Sequence, residues 1–261
     1  MNGIICFYSS TGNTKLACQR IARRSTAIGF ALHDIVRDKG PDLAAYGLVG
    51  FAAFADYIGP SRVLIDFVRG LPAQQGKPAF VFSTYGGFNG ATLRVMAAEV
   101  RKRGFRVVAG HGLHAPENFP PEIVAGRAMA QAPDGAELAA FDRFIDGLNA
   151  SAAAAAHDGW PCYRPSLLER LIPALPRTTA RRQMGLKSVD AALCTRCGLC
   201  AKGCPYGAIE LKDLPRFDQA KCHGCWACYN LCPAKAIYTR KLRGVGHYPA
   251  PLPALRNKLG S

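Results

Sequence analysis

"FYSSTGNTKLA", residues 7–17, follows a short apolar run at the start of the chain. Between the strand-like "GIICF" and the helix-like "NTKLACQRIARR" stand only small hydroxyl, amide and glycine residues, Ser9, Ser10, Thr11, Gly12, Asn13 and Thr14. These side chains bury almost no apolar surface, so they do not build core. They leave backbone N–H groups uncovered beside a helix N-terminus, where unpaired donors and the helix dipole favour an anion. The stretch lacks both G-x-G-x-x-G and G-x-x-x-x-G-K-[ST], which argues against dinucleotide and nucleotide-hydrolase loops.

Outward from this loop the pattern repeats. "FALHDIV", "YGLVGFAAF", "KPAFVFSTYGG" and "FRVVAGHGL" are near-continuous apolar runs. They alternate with the helical patterns "GPSRVLIDFVRGLP", "NGATLRVMAAEVRKRG" and "PDGAELAAFDRFIDGLNASAAAAAH". Apolar strands alternating with amphipathic helices predict a parallel sheet covered on both faces, and right-handed crossovers make it doubly wound α/β.

Composition supports a globular protein, 49% hydrophobic and 20% charged over 261 residues. No apolar run approaches the roughly 18 residues of a membrane span. The N-terminus has neither a basic segment nor a cleavage-site pattern, so a cytoplasmic protein is expected. Charge and cysteine are unevenly spread. Residues 158–261 hold 17 of the 33 Lys/Arg but 6 of the 18 Asp/Glu, and eight of the eleven cysteines fall between 194 and 232. In a reducing cytoplasm that density argues for metal rather than disulfides. The seam between two domains is therefore expected near residue 158.

"CTRCGLCAKGCPYGAI" (194–209) recurs 28 residues later as "CHGCWACYNLCPAKAI" (222–237), with every cysteine, the proline and Ala-Ile aligned. C-x2-C-x2-C-x3-C-P is the run of two-cluster bacterial ferredoxins, which hold two 4Fe-4S clusters. Three cysteines at such intervals wrap one loop around three irons. The fourth is expected to start the next helical turn, point away and reach the other cluster. Cluster I then takes Cys194, Cys197, Cys200 and Cys232, and cluster II takes Cys222, Cys225, Cys228 and Cys204. Paired structural zinc sites are the competing reading, but zinc usually takes cysteines as separated pairs. Cys6 and Cys18, in a strand and a helix, are expected to be small buried hydrophobes. Cys162 lies outside the repeat, and His223 beside Cys222 is expected to be a solvated histidine.

The S-x-T-G-N-T pattern of Ser9 to Thr14 resembles the phosphate loop of flavodoxins, whose hydroxyls and backbone N–H groups hold the FMN phosphate. "STYGGFNGAT" (83–92) resembles their Tyr-Gly-Gly loop at the end of the fourth strand. This resemblance implies FMN contacts from Thr84, Tyr85, Gly86, Gly87, Asn89 and Gly90. "FAAFADYIGP", after the third strand, offers Phe54 and Tyr57 as ring contacts, although it departs from the commonest flavodoxin loops. "HAPENF" (114–119) completes a likeness to fused proteins with an N-terminal flavodoxin domain and a C-terminal two-cluster ferredoxin domain. The resemblance implies a five-stranded sheet of order 2-1-3-4-5 over 1–157, with FMN at its switch point. It also implies a small α+β bacterial-type ferredoxin domain over 186–243. The connector, 158–185, carries Pro161, Pro165, Pro173 and Pro176, a short apolar helix at "SLLERLIPAL" and the basic cluster Arg177, Arg181 and Arg182. It is expected to pack on one of the domains rather than lie on a membrane surface. The tail, 244–261, is Pro/Gly-rich and expected to extend along a surface.

This organisation predicts an electron carrier. FMN accepts electrons in pairs and releases them singly, each cluster carries one at a time, and fusion makes the internal transfer independent of collision. The alternative is a self-contained flavin-dependent reductase of a small substrate, fed through the clusters. His111, His114 and Glu117 are its nearest candidates for a proton donor, although a solvated loop accounts for them as well. A nucleic-acid-binding iron–sulfur sensor is disfavoured, because the net charge of +15 comes without a helix-turn-helix or a basic patch interleaved with aromatics. The expected partners are redox proteins with an acidic docking surface. Protein prepared without oxygen should contain about eight irons and eight acid-labile sulfides per chain. Two zincs and no sulfide would contradict the ferredoxin reading.

Overall fold

Side chains alternate between the two faces of each strand, so a strand buried at nearly every position must be covered on both sides. β1 (Asn2–Phe7), β3 (Leu48–Phe54) and β4 (Pro78–Tyr85) are of this kind, with long consecutive runs of buried residues. They form the centre of a five-stranded parallel sheet in the order β2-β1-β3-β4-β5, with β2 (Gly29–Asp34) and β5 (Arg106–His114) at the edges. The computed structural model describes residues 1–154, 160–173 and 185–260. The order is the one the flavodoxin resemblance implied.

Four helices cover the sheet. α2 (Arg62–Gly70) and α3 (Thr92–Lys102) close one face over Ile4, Cys6, Phe51 and Val81. α1 (Asn13–Arg24) and α5 (Gly135–Ala154) close the other over Ile5, Phe7, Phe80 and Phe82. A short α4 (Pro120–Val124) lies between β5 and α5. Cys6 and Cys18 are fully buried, and burial pushes the Cys6 thiol up to about 12. Both act as small hydrophobes, as expected.

In the connector, Tyr163 donates its N–H to Val107 O of β5 at 2.9 Å, so the chain runs along that edge. α6 (Leu167–Leu171) is capped by Ser166 and Glu169, and Arg94 of α3 reaches the Glu169 and Ile172 carbonyls at 3.0 and 2.7 Å. The expected short helix is thus present and docked on the N-terminal domain. Pro176, Arg177, Arg181 and Arg182 lie outside the described residues. Among those described, no helix is long and apolar enough to cross a membrane.

The C-terminal domain is a two-fold repeat. β6 (Ser188–Val189) pairs antiparallel with β9 (Ile237–Tyr238), and β7 (Ile209–Leu211) with β8 (Pro215–Phe217). Ser188↔Tyr238 and Val189↔Ile237 become Arg216↔Glu210 and Phe217↔Ile209 when 28 residues are added on one strand and removed on the other. α7 (Leu199–Lys202) and α8 (Ala227–Asn230) are equivalent in the same way. These helices correct one expectation: Cys200 and Cys228 sit inside them, while Cys204 and Cys232 follow their ends instead of starting a new turn.

The tail does not extend along a surface. α9 (Pro253–Gly260) returns to the N-terminal domain, where Leu255 and Leu259 are fully buried in the α1/α5 core. Arg20 of α1 donates to Asp142 of α5 at 3.0 Å and to Lys258 O at 3.2 Å, tying three helices together. Ala17, Cys18 and Ile21 of α1 share one buried cluster with both the sheet and the tail. Leu255→Ala should therefore cost about 2–5 kcal/mol and lower the urea midpoint of the N-terminal domain. An unchanged midpoint would contradict the docked tail.

Candidate functional site

The loop of residues 9–14 turns from β1 into α1 through Gly12, whose φ is 107°. A Cβ there would lie 2.8 Å from Pro251 Cδ of the tail, so the position needs glycine both for its conformation and for that close approach. Gly12 N donates to Ser9 Oγ at 3.1 Å, and no acidic residue occupies the first turn of α1. Thr14 Oγ1 meets Thr84 Oγ1 at 2.8 Å, which joins this loop to the end of β4.

A small polar cavity opens here, lined by Ser9, Ser10, Asn13, Thr14, Thr84, Tyr85 and Gly86 together with Phe54 and the Ala115–Asn118 loop. It shares Phe54, Ala55, Gly86, Glu117 and Asn118 with a larger cleft of about 320 Å³, which adds Tyr57, Gly87, Phe88, Phe119 and Trp226. One end thus offers hydroxyls and a helix N-terminus, and the other offers aromatic walls. That combination suits a ligand with a phosphate at one end and a flat ring at the other, as FMN has.

Not every expected residue lines these cavities. Thr11 accepts from Asn118 Nδ2 at 2.8 Å, and Gly12 shapes the turn. Asn89 accepts from Ser83 Oγ at 2.9 Å, and Gly90 (φ 59°) packs on the Ile58 backbone, so both build the loop from behind. Asn13 reaches the cavity, but its amide bonds Pro116 O at 3.0 Å and accepts from the Tyr248 hydroxyl at 2.8 Å. The three residues considered as proton donors separate. His111 stacks on Phe82, Phe141 and Phe144, and burial lowers its pKa to about 4. His114 meets Glu137 at 2.9 Å and stacks on Tyr85. Glu117 alone lines the cleft, its carboxylate accepting from the Gly87, Asn118 and Phe119 N–H groups.

The eight cysteines of the repeat line two further cavities. Cys194, Cys197, Cys200 and Cys232 surround one, and Cys204, Cys222, Cys225 and Cys228 the other. Each set takes three cysteines from one half of the repeat and one from the other. Among the described residues no three His, Cys, Asp or Glu converge on one metal-ion position. The spread around a cavity matches a polynuclear cluster. Burial pushes the Cys225 thiol up to about 12 and the Cys228 thiol well above its ordinary value. Thiolates at such sites need positive charge beside them, which cluster iron provides. His223 is not solvated as expected; its ring stacks on Tyr206 at 4.2 Å and lines the second cavity.

The two domains meet at the second cavity. Gly224, Cys225 and Trp226 also line the large cleft, where Trp226 packs edge-on against Phe119 at 5.8 Å. Tyr8, just after β1, is buried with Cys225 near its hydroxyl, and its ring lies 5.4 Å from Phe54. Sequence reasoning missed this contact because no spacing rule relates residue 8 to residue 225. Ser10→Glu should place a carboxylate in the polar cavity and weaken FMN binding at least tenfold, about 1.4 kcal/mol, while Ser10→Ala should change it little. Equal affinity in the wild type and Ser10→Glu, read by flavin fluorescence, would contradict a phosphate site there.

Residues 193–237 match the family model of the 4Fe-4S dicluster domain. No curated protein matches the chain. Among solved structures, a flavodoxin from the domain Archaea is 18% identical, over 59% of this chain and 99% of its own, with a TM-score of 0.44. The flavodiiron protein from Giardia intestinalis is 18% identical, over 61% of this chain and 38% of its own, also at 0.44. Two-electron reduced Megasphaera elsdenii flavodoxin is 19% identical, over 51% of this chain and 100% of its own, at 0.36. The assignment of the N-terminal fold rests on the strand order and the loops at its switch point. The chain joins a flavodoxin-like domain to a 4Fe-4S dicluster domain.

Proposed function

We propose that this protein is an electron carrier that holds FMN in the N-terminal cleft and two 4Fe-4S clusters in the cysteine-lined cavities, and serves a partner redox enzyme. The observation that carries the reading is the shared wall: Cys225 lines both the flavin cleft and the second cysteine cavity. When bound, FMN exchanges electrons in pairs or singly, and each cluster exchanges one. The chain's own residues set the order. Cys222, Cys225, Cys228 and Cys204 hold the cluster beside the flavin, and Cys194, Cys197, Cys200 and Cys232 hold the one beyond it. Tyr8, Phe54 and Trp226 pack at the junction, Tyr8 and Trp226 buried and Phe54 half-buried. Ser9, Ser10 and Thr14 orient the phosphate, while the glycines of the Tyr-Gly-Gly loop give the ring a close approach.

The far cavity marks the exit. Cys197 is exposed, and around it Leu193, Leu199 and Leu211 are 49%, 51% and 42% exposed. Arg196, Lys202, Lys212 and Lys235 are exposed in the same domain, against Glu210, Asp213 and Asp218. An apolar patch in a basic surround suits a redox protein with an acidic docking face.

A second reading has one observation in its favour. Glu117 places a carboxyl group in the cleft, the group type a self-contained reductase needs as proton donor, although the three N–H bonds it accepts favour its ionised form. Turnover of NAD(P)H or a quinone by the pure protein would support it, and activity only with a partner enzyme supports the carrier.

The formal charge of +15 falls to about +9 once two dianionic cluster sites and a dianionic FMN phosphate are bound. A basic carrier should meet its partner fastest at low salt. Delivery to the partner should slow steeply between about 0.01 and 0.15 M salt, as the screening length falls from roughly 30 to 8 Å. Transfer within the chain should hold its rate, because its ends are tethered. Salt-independent delivery would count against electrostatic docking.

A further inference from the structure

The two halves of the dicluster domain supply equivalent positions 28 residues apart, so each cavity is a control for the other. Phe217 lines the second cavity where Val189 lines the first, and Ala208 and Ile209 stand for Ala236 and Ile237. Backbone geometry follows the same rule. Left-handed φ values recur at Arg196 and Gly224 (55° and 69°), Gly198 and Trp226 (74° and 61°), and Gly207 and Lys235 (57° and 51°).

The linings also differ: Thr195, Arg196, Gly198 and Ala234 of the first stand where the second has His223, Gly224, Trp226 and Tyr206, and one further difference buries a cation. Position 187 of the second cavity corresponds to 215 of the first, where the chain carries lysine and proline respectively. Lys187 is 2% exposed, its ammonium 3.5 Å from the centroid of Trp226 and 3.2 Å from Gly185 O. The Lys187 carbonyl accepts from Gln219 Nε2 at 2.9 Å, which fixes the backbone at this point. Trp226 itself stands at the position of Gly198. A bulky residue in the left-handed region costs about 1–3 kcal/mol and persists where its surroundings hold it. Here it supplies the ring face under the ammonium and the edge against Phe119.

We propose that Lys187 is the residue that separates the potentials of the two clusters, making the flavin-side cluster the more easily reduced. The inference rests on reading the two cavities as cluster sites. On reduction a 4Fe-4S core goes from 2+ to 1+ by gaining one electron, so the site with its four thiolates goes from about 2− to 3−. A cation buried against that site favours the more negative state. Its effect is largest where water does not screen it. The basic residues near the other cavity, Arg196, Lys202 and Lys235, are exposed and therefore screened. The consequence is a gradient. An electron from the flavin side rests on the nearer cluster and moves outward when a partner accepts it.

The test is a potentiometric titration of the holoprotein followed by electron paramagnetic resonance, in Lys187→Gln and in the mirror variant Pro215→Lys. Wild type should show two one-electron steps. Lys187→Gln should lower the upper step by at least tenfold in equilibrium constant, 59 mV for one electron, and leave the lower step in place. Lys187→Arg, which keeps the charge, should keep the wild-type separation. Pro215→Lys should raise the lower step and narrow the gap. An unmoved upper step in iron-replete Lys187→Gln, or equal movement of both steps, would overturn the proposal. Should Lys187→Gln lose its iron, an unmoved lower step in Pro215→Lys would overturn it. Wild type lacking about eight irons would instead refute the cluster reading beneath it.

Discussion

A buried hydrogen-bond network centred on Asn13 and Asn230 fixes how the two domains meet. Asn13, in the first turn of α1, holds Pro116 O and accepts from the Tyr248 hydroxyl. Tyr248 N donates to Asn230 Oδ1 at 3.1 Å, and Asn230 Nδ2 donates to Asn118 O at 2.9 Å. Asn118 closes the circuit on Thr11. Asn13, Asn230 and Tyr248 are 6%, 2% and 4% exposed, so each unmet group would cost about 1–3 kcal/mol. Such a network is all or nothing, and it specifies one arrangement. Through it the loop of residues 9–14, the loop after β5, the tail and α8 are set relative to one another. Cys228 lies in α8 and Cys225 just before it, so the network also sets the wall between cleft and cavity.

The tail explains how one chain builds such an interface. It leaves the dicluster domain after β9, donates Tyr248 to the network, passes Pro251 over Gly12 and buries Leu255 and Leu259 beside α1. The dicluster domain is therefore anchored to the flavodoxin-like domain through the segment that follows it. A tethered module on a flexible linker samples many distances. Here the buried network through Asn13, Tyr248 and Asn230 holds the two domains in one arrangement.

Much of this was legible in the sequence because the signals are local. The doubly wound sheet follows from alternating apolar runs, its order from the resemblance of two loops to those of flavodoxins, and the cysteine sets from a fixed spacing. What was not legible depends on distant partners. α9 has the sequence PALRNKLG between Pro/Gly-rich stretches, and its helical register has meaning only against α1, more than 200 residues earlier. Glu117 is held in the cleft by three backbone N–H groups, a geometry that no motif encodes. Asn13 reads as a phosphate-loop residue, yet its side chain serves the domain interface as well. Lys187 lies outside the cysteine motif, and only the register of the paired strands gives it a counterpart at Pro215.

The central claim is that the cysteine cavity sharing Cys225 with the cleft holds the cluster that couples the flavin to the rest of the chain. Reduction of the flavin by a light pulse in Cys204→Ala, with cluster I followed spectroscopically, tests it most directly. The account predicts that cluster I, held by Cys194, Cys197, Cys200 and Cys232, remains bound but is no longer reduced on the wild-type timescale. Reduction of cluster I at the wild-type rate in that variant would contradict it.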